Sequence, residues 1–213
     1  MKNKLFLGLD FGTSNSSVAV LNNDGTVKII PIESDGDVVM PSTLYFSTIK
    51  QDHYVGKEAI NEYLTNRMHG RFLQSLKSLL PDTSFSGTYI SGLAHRSLED
   101  LLALIIEQIR KRTNKYLNAD ITSVVMGRPA QFSTDSTVDG IAEKRLLVAA
   151  KKAGFEEIYF QLEPIAAAFH YESLITTDEL VLVADLGGGT TDFTIMNLSP
   201  NKIGQKNRSQ DIL

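Results

Sequence analysis

The chain has 213 residues, of which 42% are hydrophobic and 22% charged, a composition that fits a globular protein with one or two cores. A formal net charge of −4 and a pI near 5.6 argue against a nucleic-acid or anionic-membrane surface. Cysteine is absent, so disulfides and thiolate metal sites are excluded and nothing requires an oxidising compartment.

The first residues, Met1-Lys2-Asn3-Lys4-Leu5-Phe6-Leu7, have the basic start of a signal peptide. Asp10 cuts the apolar run far short of a signal core, and no small-residue cleavage site follows. The longest apolar run elsewhere, Leu101 to Ile106, is much too short to span a bilayer. The protein is therefore read as cytoplasmic, and the Asn-x-Ser matches at Asn15, Asn197 and Asn207 as chance.

In chain order, LFLGLDF, SVAVLN and VKIIPI predict three strands of a meander, the last two joined by a turn at Asn23-Asp24-Gly25. From about Glu33 to Leu93 the pattern weakens. A short strand near Thr43–Phe46, the segment Tyr54-Val55-Gly56 and a helix from Lys57 to about Asn66 suggest a smaller inserted α+β subdomain. A long helix begins near Ser97, where Ser97 and Asp100 have capping-box spacing. Its stripe of Leu98, Leu101, Leu102, Ile105, Ile106 and Ile109 reads as core, closed by Arg110-Lys111-Arg112 as a solvated helix terminus. The elements then alternate. ITSVVMG is a strand, Val138 to Ala153 a helix, EEIYFQL a strand, Pro164 to about Ser173 a helix, and ELVLVADL a buried strand. Alternation of this kind gives a parallel sheet covered by helices. The expected fold is thus α/β, with a mixed five-stranded sheet shared by two hairpins. Residues 1–34 and 112–213 would form the core subdomain and 35–111 the insertion. Pro200 to Leu213, polar apart from a closing Ile-Leu, reads as a strand end and an unfinished connection.

The chemistry lies in a repeated motif. Leu7-Gly8-Leu9-Asp10-Phe11-Gly12-Thr13-Ser14-Asn15-Ser16 and Val183-Ala184-Asp185-Leu186-Gly187-Gly188-Gly189-Thr190-Thr191-Asp192 each run from an apolar strand through aspartate and glycine to threonine and back into a strand. Glycine lets backbone N–H groups converge on a phosphate oxygen without Cβ obstruction. A carboxylate before such a turn would repel a bare phosphate, so it makes sense with a divalent cation between them. Facing turns would clamp Mg-polyphosphate, with Asp10 and Asp185 holding the metal largely through its waters. The plainer reading is an ordinary Asp-Gly hairpin turn. Against it, a triple glycine followed by Thr-Thr-Asp carries a backbone entropy too large for a casual turn.

These two motifs, with Glu163-Pro164-Ile165-Ala166-Ala167-Ala168, resemble the nucleotide-binding domain of DnaK-type heat-shock chaperones, within the actin-like (ribonuclease H-like) ATPase superfamily. The likeness runs from Leu5 to about Asn197. Gly127-Arg128-Pro129, Phe160-Gln161-Leu162-Glu163-Pro164 and Phe169-His170-Tyr171-Glu172 are similar to the short YegD-like branch, which lacks the peptide-binding module of true chaperones.

The resemblance implies roles residue by residue. Asp10 and Asp185 would be the magnesium-side carboxylates. Thr13 and Thr190 would face the β- and γ-phosphates, within a cradle formed by Gly12, Ser14, Asn15, Gly187, Gly188, Gly189 and Thr191. Lys77 would reach the γ-phosphate from the inserted subdomain, Glu163 would orient the attacking water, and Asp192 would be a second carboxylate near that water. The implied cofactors are ATP or ADP with Mg2+, and the implied reaction is in-line attack of water on the γ-phosphate. A client protein or co-chaperone would be the macromolecular partner. Glu163, followed by Pro164, also has the simpler role of a first-turn helix carboxylate, and the two roles are compatible.

The pattern also departs from the family. The loop after Pro129, which contributes a switch arginine in the family, is here Gln131-Phe132-Ser133-Thr134-Asp135-Ser136-Thr137, with Arg145 as the candidate substitute. In the family a second lobe follows the second turn and supplies most of the adenosine pocket. The 213 residues therefore read as the first lobe of a longer protein, expected to fold but to lack useful ATPase activity alone. Two other classes share the superfold: an MreB-like filament former, which shares the turns and the Glu-Pro-x-Ala-Ala-Ala start, and a sugar or acetate kinase, which needs an acceptor pocket and usually an aspartate base. Arg71 to Leu80, with Lys77 inside it, fits the chaperone pattern better. A P-loop enzyme is excluded, since G-x-x-x-x-G-K-[ST] does not occur.

Overall fold

A computed structural model describes residues 5–22, 24–90, 95–188, 191–205 and 208–213. Its main sheet is built on β1 (Leu7–Phe11), which pairs antiparallel with β2 (Asn15–Leu21) and parallel with β10 (Ser123–Arg128). On one side β10 carries the parallel strand β11 (Glu157–Leu162). On the other, β2 carries β3 (Val27–Ile29) and β4 (Val39–Pro41). The path is β11-β10-β1-β2-β3, with β4 beside β2. A mixed sheet is present as expected, but with six strands rather than five, since the short β4 adds beside β2.

Alternation along β1 fixes what each face can do. Leu7, Leu9 and Phe11 are buried while Gly8 and Asp10 face the open side. The buried face joins α2 (Leu98–Leu117) and α3 (Ser136–Lys152) in one core with Val18, Val20, Val124 and Met126. Ser97 caps α2 as its spacing predicts: its Oγ accepts from the Asp100 N–H and its N–H donates to the Asp100 carboxylate, both at 3.1 Å. The helix does not end at the basic run but continues to Leu117; Thr113, a weak helix former, is fully buried there and its hydroxyl donates to the Ile109 carbonyl at 2.8 Å. Arg110 and Arg112 are consequently not a solvated terminus. Arg110 bonds Asp120 and the Ile121 carbonyl; Arg112 bonds the Ile32 carbonyl and the Glu33 carboxylate, whose side chain is only 1% exposed.

Between β4 and α2 lies a second sheet, β6-β5-β7 (His53–Val55, Thr43–Phe46, Arg71–Gln74), with α1 (Lys57–Thr65) against it. A 3-10 turn, Leu76–Leu79, and the small pair β8 (Gly87–Tyr89) and β9 (His95–Ser97) complete this region. The stretch after Arg71 carried no clear periodicity, because β7 and the 3-10 turn span four residues each.

The second motif differs from expectation in one respect. β12 (Glu179–Leu186) and β13 (Thr191–Leu198) form their own two-stranded sheet rather than joining the main one. α4 (Glu163–Glu172) stands between β11 and β12 and takes one face of the hairpin. Ile165 and Ala168 pack with Met196, Leu198, Val181 and Val183 in a separate small cluster. The other face leaves Leu180, Leu182, Leu186, Phe193 and Ile195 exposed, so the apolar run of β12 is buried on one side only. The tail is also more ordered than its composition suggests. Residues 200–202 and 209–211 form 3-10 turns, and Arg208 binds Glu172 through both carboxylate oxygens (2.6 and 2.7 Å) and Asp211 through Nε. Among the described residues, no helix is long and apolar enough to cross a membrane.

Candidate functional site

The first turn is tight for a steric reason. A Cβ on Gly12 would lie 2.3 Å from the Asn15 carbonyl oxygen, so only glycine closes this corner. Ser42 holds the turn from the junction of β4 and β5. Its Oγ donates to the Gly12 carbonyl at 2.8 Å and lies 2.9 Å from the Ser16 Oγ, and its N–H donates to the Ser14 carbonyl at 2.8 Å. Nothing in the local pattern singled out Ser42. Thr13 and Ser14 are half-buried in the turn, and Asn15 opens β2 with its side chain exposed.

The second turn meets the first. A Cβ on Gly188 would lie 1.9 Å from the Ser14 Oγ, so this glycine is what allows the two turns to touch. Strand register puts Asp185 directly opposite Asp192, on the same side as Val183. Thr191 lies opposite Leu186, on the other side of the hairpin from the two aspartates. Gly187 and Gly188 are exposed. Gly189 and Thr190, both expected in the cradle, lie outside the described residues.

Two further elements deliver charge to the same place. Lys77, buried in the Leu76–Leu79 turn, donates to Glu163 Oε1 at 2.9 Å. Glu163 is the first residue of α4, followed by Pro164, which suits a first helical turn. Its side chain lies along Gly127 of β10, where an added Cβ would be 3.2 Å from Glu163 Cγ. The departure Gly127-Arg128-Pro129 therefore has local consequences. Gly127 makes room for Glu163, while Arg128 grips Asp139 through paired 2.9 Å bonds, contacts Glu143 and bonds the Pro129 carbonyl. Arg128, more than Arg145, fixes the loop after Pro129.

Burial is the main cause raising the Glu163 pKa above the ordinary carboxylate range; Lys77 opposes it, and Asp10 and Asp185 add to it. Asp10 opens to solvent on the sheet face but has enough protein around it for desolvation to raise its pKa. Lys77 pulls that value down and the Asp185 charge pushes it up. These mutual effects bring Asp10, Asp185, Lys77 and Glu163 into one electrostatic neighbourhood. Asp10 and Asp185 repel each other there, which is the setting a cation would relieve.

Among the described residues, no three histidine, aspartate or glutamate side chains converge as a metal cage. Magnesium does not require one, since it keeps several waters and is typically bound by one or two carboxylates with substrate phosphates. The pair Asp10 and Asp185 fits that requirement.

The chain matches the family model described as Hsp70 protein over residues 6–212. It is 30% identical over 207 residues to the chaperone protein HscA homolog of Rickettsia prowazekii, covering 92% of this chain and 33% of that one. It is likewise 30% identical over 203 residues to the chaperone protein DnaK of Thermotoga neapolitana, covering 95% of this chain and 32% of that one. The chain thus spans about a third of the length of the curated relatives it matches.

Proposed function

Because the chain belongs to the Hsp70 protein family, whose ATPase domain is an actin-like α/β fold, we propose that it is a nucleotide-binding lobe that takes Mg-ATP and, in the full-length protein, hydrolyses the γ-phosphate. The observation that carries this reading is the contact of the two turns at Ser14 and Gly188, with Asp10, Asp185, Lys77 and Glu163 gathered beside it.

Each side chain has a role in this reading. Asp10 and Asp185 would hold Mg2+, which would supply charge neutralisation to the phosphates. The backbone of Gly12, Thr13, Ser14, Asn15, Gly187 and Gly188 would border the phosphate chain, and Gly189, Thr190 and Thr191 are assigned to the same cradle from their place in the motif. Lys77 exchanges part of its bond to Glu163 for a γ-phosphate oxygen. Glu163, with its proton affinity raised by burial, orients the attacking water, and Asp192 is a second carboxylate near it. The site asks for positioning and electrostatics rather than covalent chemistry.

Residues 1–34 and 112–213 are assigned to the core subdomain, within which the β12–β13 hairpin keeps its own sheet and small cluster, and 35–111, with the separate β6-β5-β7 sheet, to the inserted one. Gly127-Arg128-Pro129 supports the short YegD-like branch. A cytoplasmic location and a client or co-chaperone partner belong to the same reading. Asp10, Asp185, Gly187 and Gly188 stand open to solvent, so the 213 residues alone are expected to bind ATP weakly and turn it over poorly.

The test is phosphate release from Mg-ATP by the full-length protein beside its Asp185→Ala variant, with light scattering recorded in the same cell. Slow turnover that disappears in the variant, without assembly, is the expected result. No turnover, or turnover only with polymerisation, overturns the reading.

A further inference from the structure

Lys77 stands on an unpromising support. A four-residue 3-10 turn has poor hydrogen-bond geometry and little intrinsic stability, and this one starts from Ser75 in the left-handed region at φ 58°. Leu76 and Leu80 anchor its apolar side in the main core. Its polar side, where the last carbonyls of the turn and of the following loop emerge, is met among the described residues by one side chain.

That side chain is Arg145 of α3. Its Nη1 donates to the carbonyls of Leu79 (3.4 Å), Leu80 (3.2 Å) and Asp82 (2.8 Å), and its Nη2 to that of Phe85 (3.1 Å). Its Nε lies 3.5 Å from Glu99 Oε1 at the start of α2. The guanidinium is thus engaged on both sides, and its stem leaves α3 beside Leu146, which is fully buried in the α2–α3 core. A planar fork with five N–H donors suits a row of carbonyls, whereas a lysine ammonium is a point charge that reaches one or two.

We propose that Arg145 is a positioning residue for Lys77: by gathering the carbonyls of Leu79, Leu80, Asp82 and Phe85 it fixes the 3-10 turn, and through the turn the ammonium that meets Glu163 and the γ-phosphate. The proposal rests on the nucleotide reading above for its catalytic consequence, but not for the mechanical one. The link is short. Leu79 and Leu80 follow Lys77 by two and three residues, and the Leu80 N–H closes the turn on the Lys77 carbonyl at 3.1 Å. Loss of the clamp lets the turn open on its polar side and takes Lys77 off Glu163. The role differs from that of a substitute for the family's switch arginine, because among the described residues the acceptors of Arg145 lie in the 79–85 segment and on Glu99.

The test uses the full-length protein with Arg145→Lys, Arg145→Met and, as comparator, Lys77→Ala. Three readings are taken: affinity for a fluorescent ATP analogue with Mg2+, single-turnover hydrolysis of ATP, and the acylation rate of Lys77 by a lysine-directed reagent in the absence of nucleotide. In Arg145→Met, hydrolysis is expected to fall by about tenfold or more, since small misplacements of a positioning group have effects of that order, while affinity stays within about threefold. Lys77 acylation should rise about fivefold or more as the ammonium leaves its buried pair, with Arg145→Lys intermediate on both scales.

Unchanged Lys77 reactivity in Arg145→Met overturns the proposal. So does an equal loss of affinity and turnover in both Arg145 variants, which would mark a purely structural role. If the wild-type protein hydrolyses no ATP, the nucleotide reading fails, and the acylation rates still decide whether Arg145 holds Lys77.

Discussion

Replacing Arg208 with methionine should release the tail from α4 while leaving the main sheet intact. The Arg208 side chain is 3% exposed and binds Glu172 bidentately, and both carboxylate partners, Glu172 and Asp211, are 2% and 4% exposed. Without the guanidinium, Glu172 retains the Ser199 N–H at 3.2 Å and Asp211 retains Lys202. Breaking one side of a buried ion pair typically destabilises by about 3–5 kcal/mol, chiefly because the surviving charge stays buried without compensation. At about 1.4 kcal/mol per decade this is a rise of roughly two to three and a half orders of magnitude in the opening equilibrium of the unit. The neighbouring apolar cluster of Ile165, Ala168, Met196 and Leu198 is too small to absorb such a loss.

Native-state hydrogen exchange reads this directly. The amides of Asp211, bonded to the Arg208 carbonyl at 3.0 Å, and of Leu213, bonded to the Ile195 carbonyl at 3.0 Å, should exchange faster by that factor in Arg208→Met. The amides of β1, which belong to the other core, should not change. Acid provides the independent arm. The hydrogen bond from Arg208 holds the Glu172 carboxyl below its ordinary value of 4.5, against the opposing effect of burial. A depressed carboxylate contributes stability that is complete above its unfolded pKa and lost as pH falls through the folded one. The wild-type tail should therefore open on acidification below about pH 4.5, and the variant should lack this transition. Tail amides that keep wild-type protection in Arg208→Met would refute the reasoning.

Other perturbations test the site itself. Asp10→Asn should raise the melting temperature at neutral pH: burial raises the Asp10 pKa above 3.8, so its ionised form is penalised in the fold, and the gain should vanish at pH values below 3.8 where wild type is protonated. Ser42→Ala removes the hydroxyl that bonds the Gly12 carbonyl and the Ser16 hydroxyl and should destabilise by about 1–3 kcal/mol in chemical denaturation. Gly188→Ala forces a Cβ against Ser14 and should weaken Mg-ATP binding in the full-length protein. Adding Ser14→Gly should restore much of that loss, and additive effects would contradict the turn-to-turn contact.

The sequence was most legible where the physics is local. Alternating apolar residues, the capping box at Ser97 and Asp100, and the glycine turns after Asp10 and Asp185 all act within a few residues, and β5 and β12 appear at the boundaries their residues predict. Contacts between distant segments were not legible. Ser42 reaches a turn 30 residues earlier, Arg208 a glutamate 36 residues earlier, and Arg145 carbonyls 60 to 66 residues earlier. A half-buried arginine bonded to backbone carbonyls leaves no pattern at all, since any residue can supply the acceptors. The exposed face of β12 was misread for a related reason. An unbroken apolar run is what two covered faces require, but the run alone does not say that both are covered.

The arrangement also explains why one helix matters so much to the site. The two turns belong to sheets with separate cores, one around β1 and one around β12 and β13. α4 is bound to both. Its first residue, Glu163, pairs with Lys77 beside the main sheet, and its last, Glu172, is locked to Arg208 in the tail that lies against β13. Ten residues of helix at 1.5 Å per residue make a strut of about 15 Å, with an ion pair at each end. The distance between the Asp10 and Asp185 carboxylates therefore depends on how α4 sits. Since those like charges repel, a doubly anchored α4 is what holds them together before any cation arrives. Weakening the Glu172–Arg208 pair should relax this repulsion and lower the Asp10 pKa by the part that the Asp185 charge contributes, while burial, the larger cause, and Lys77 stay in place; NMR titration of an Arg208→Met variant would measure that shift.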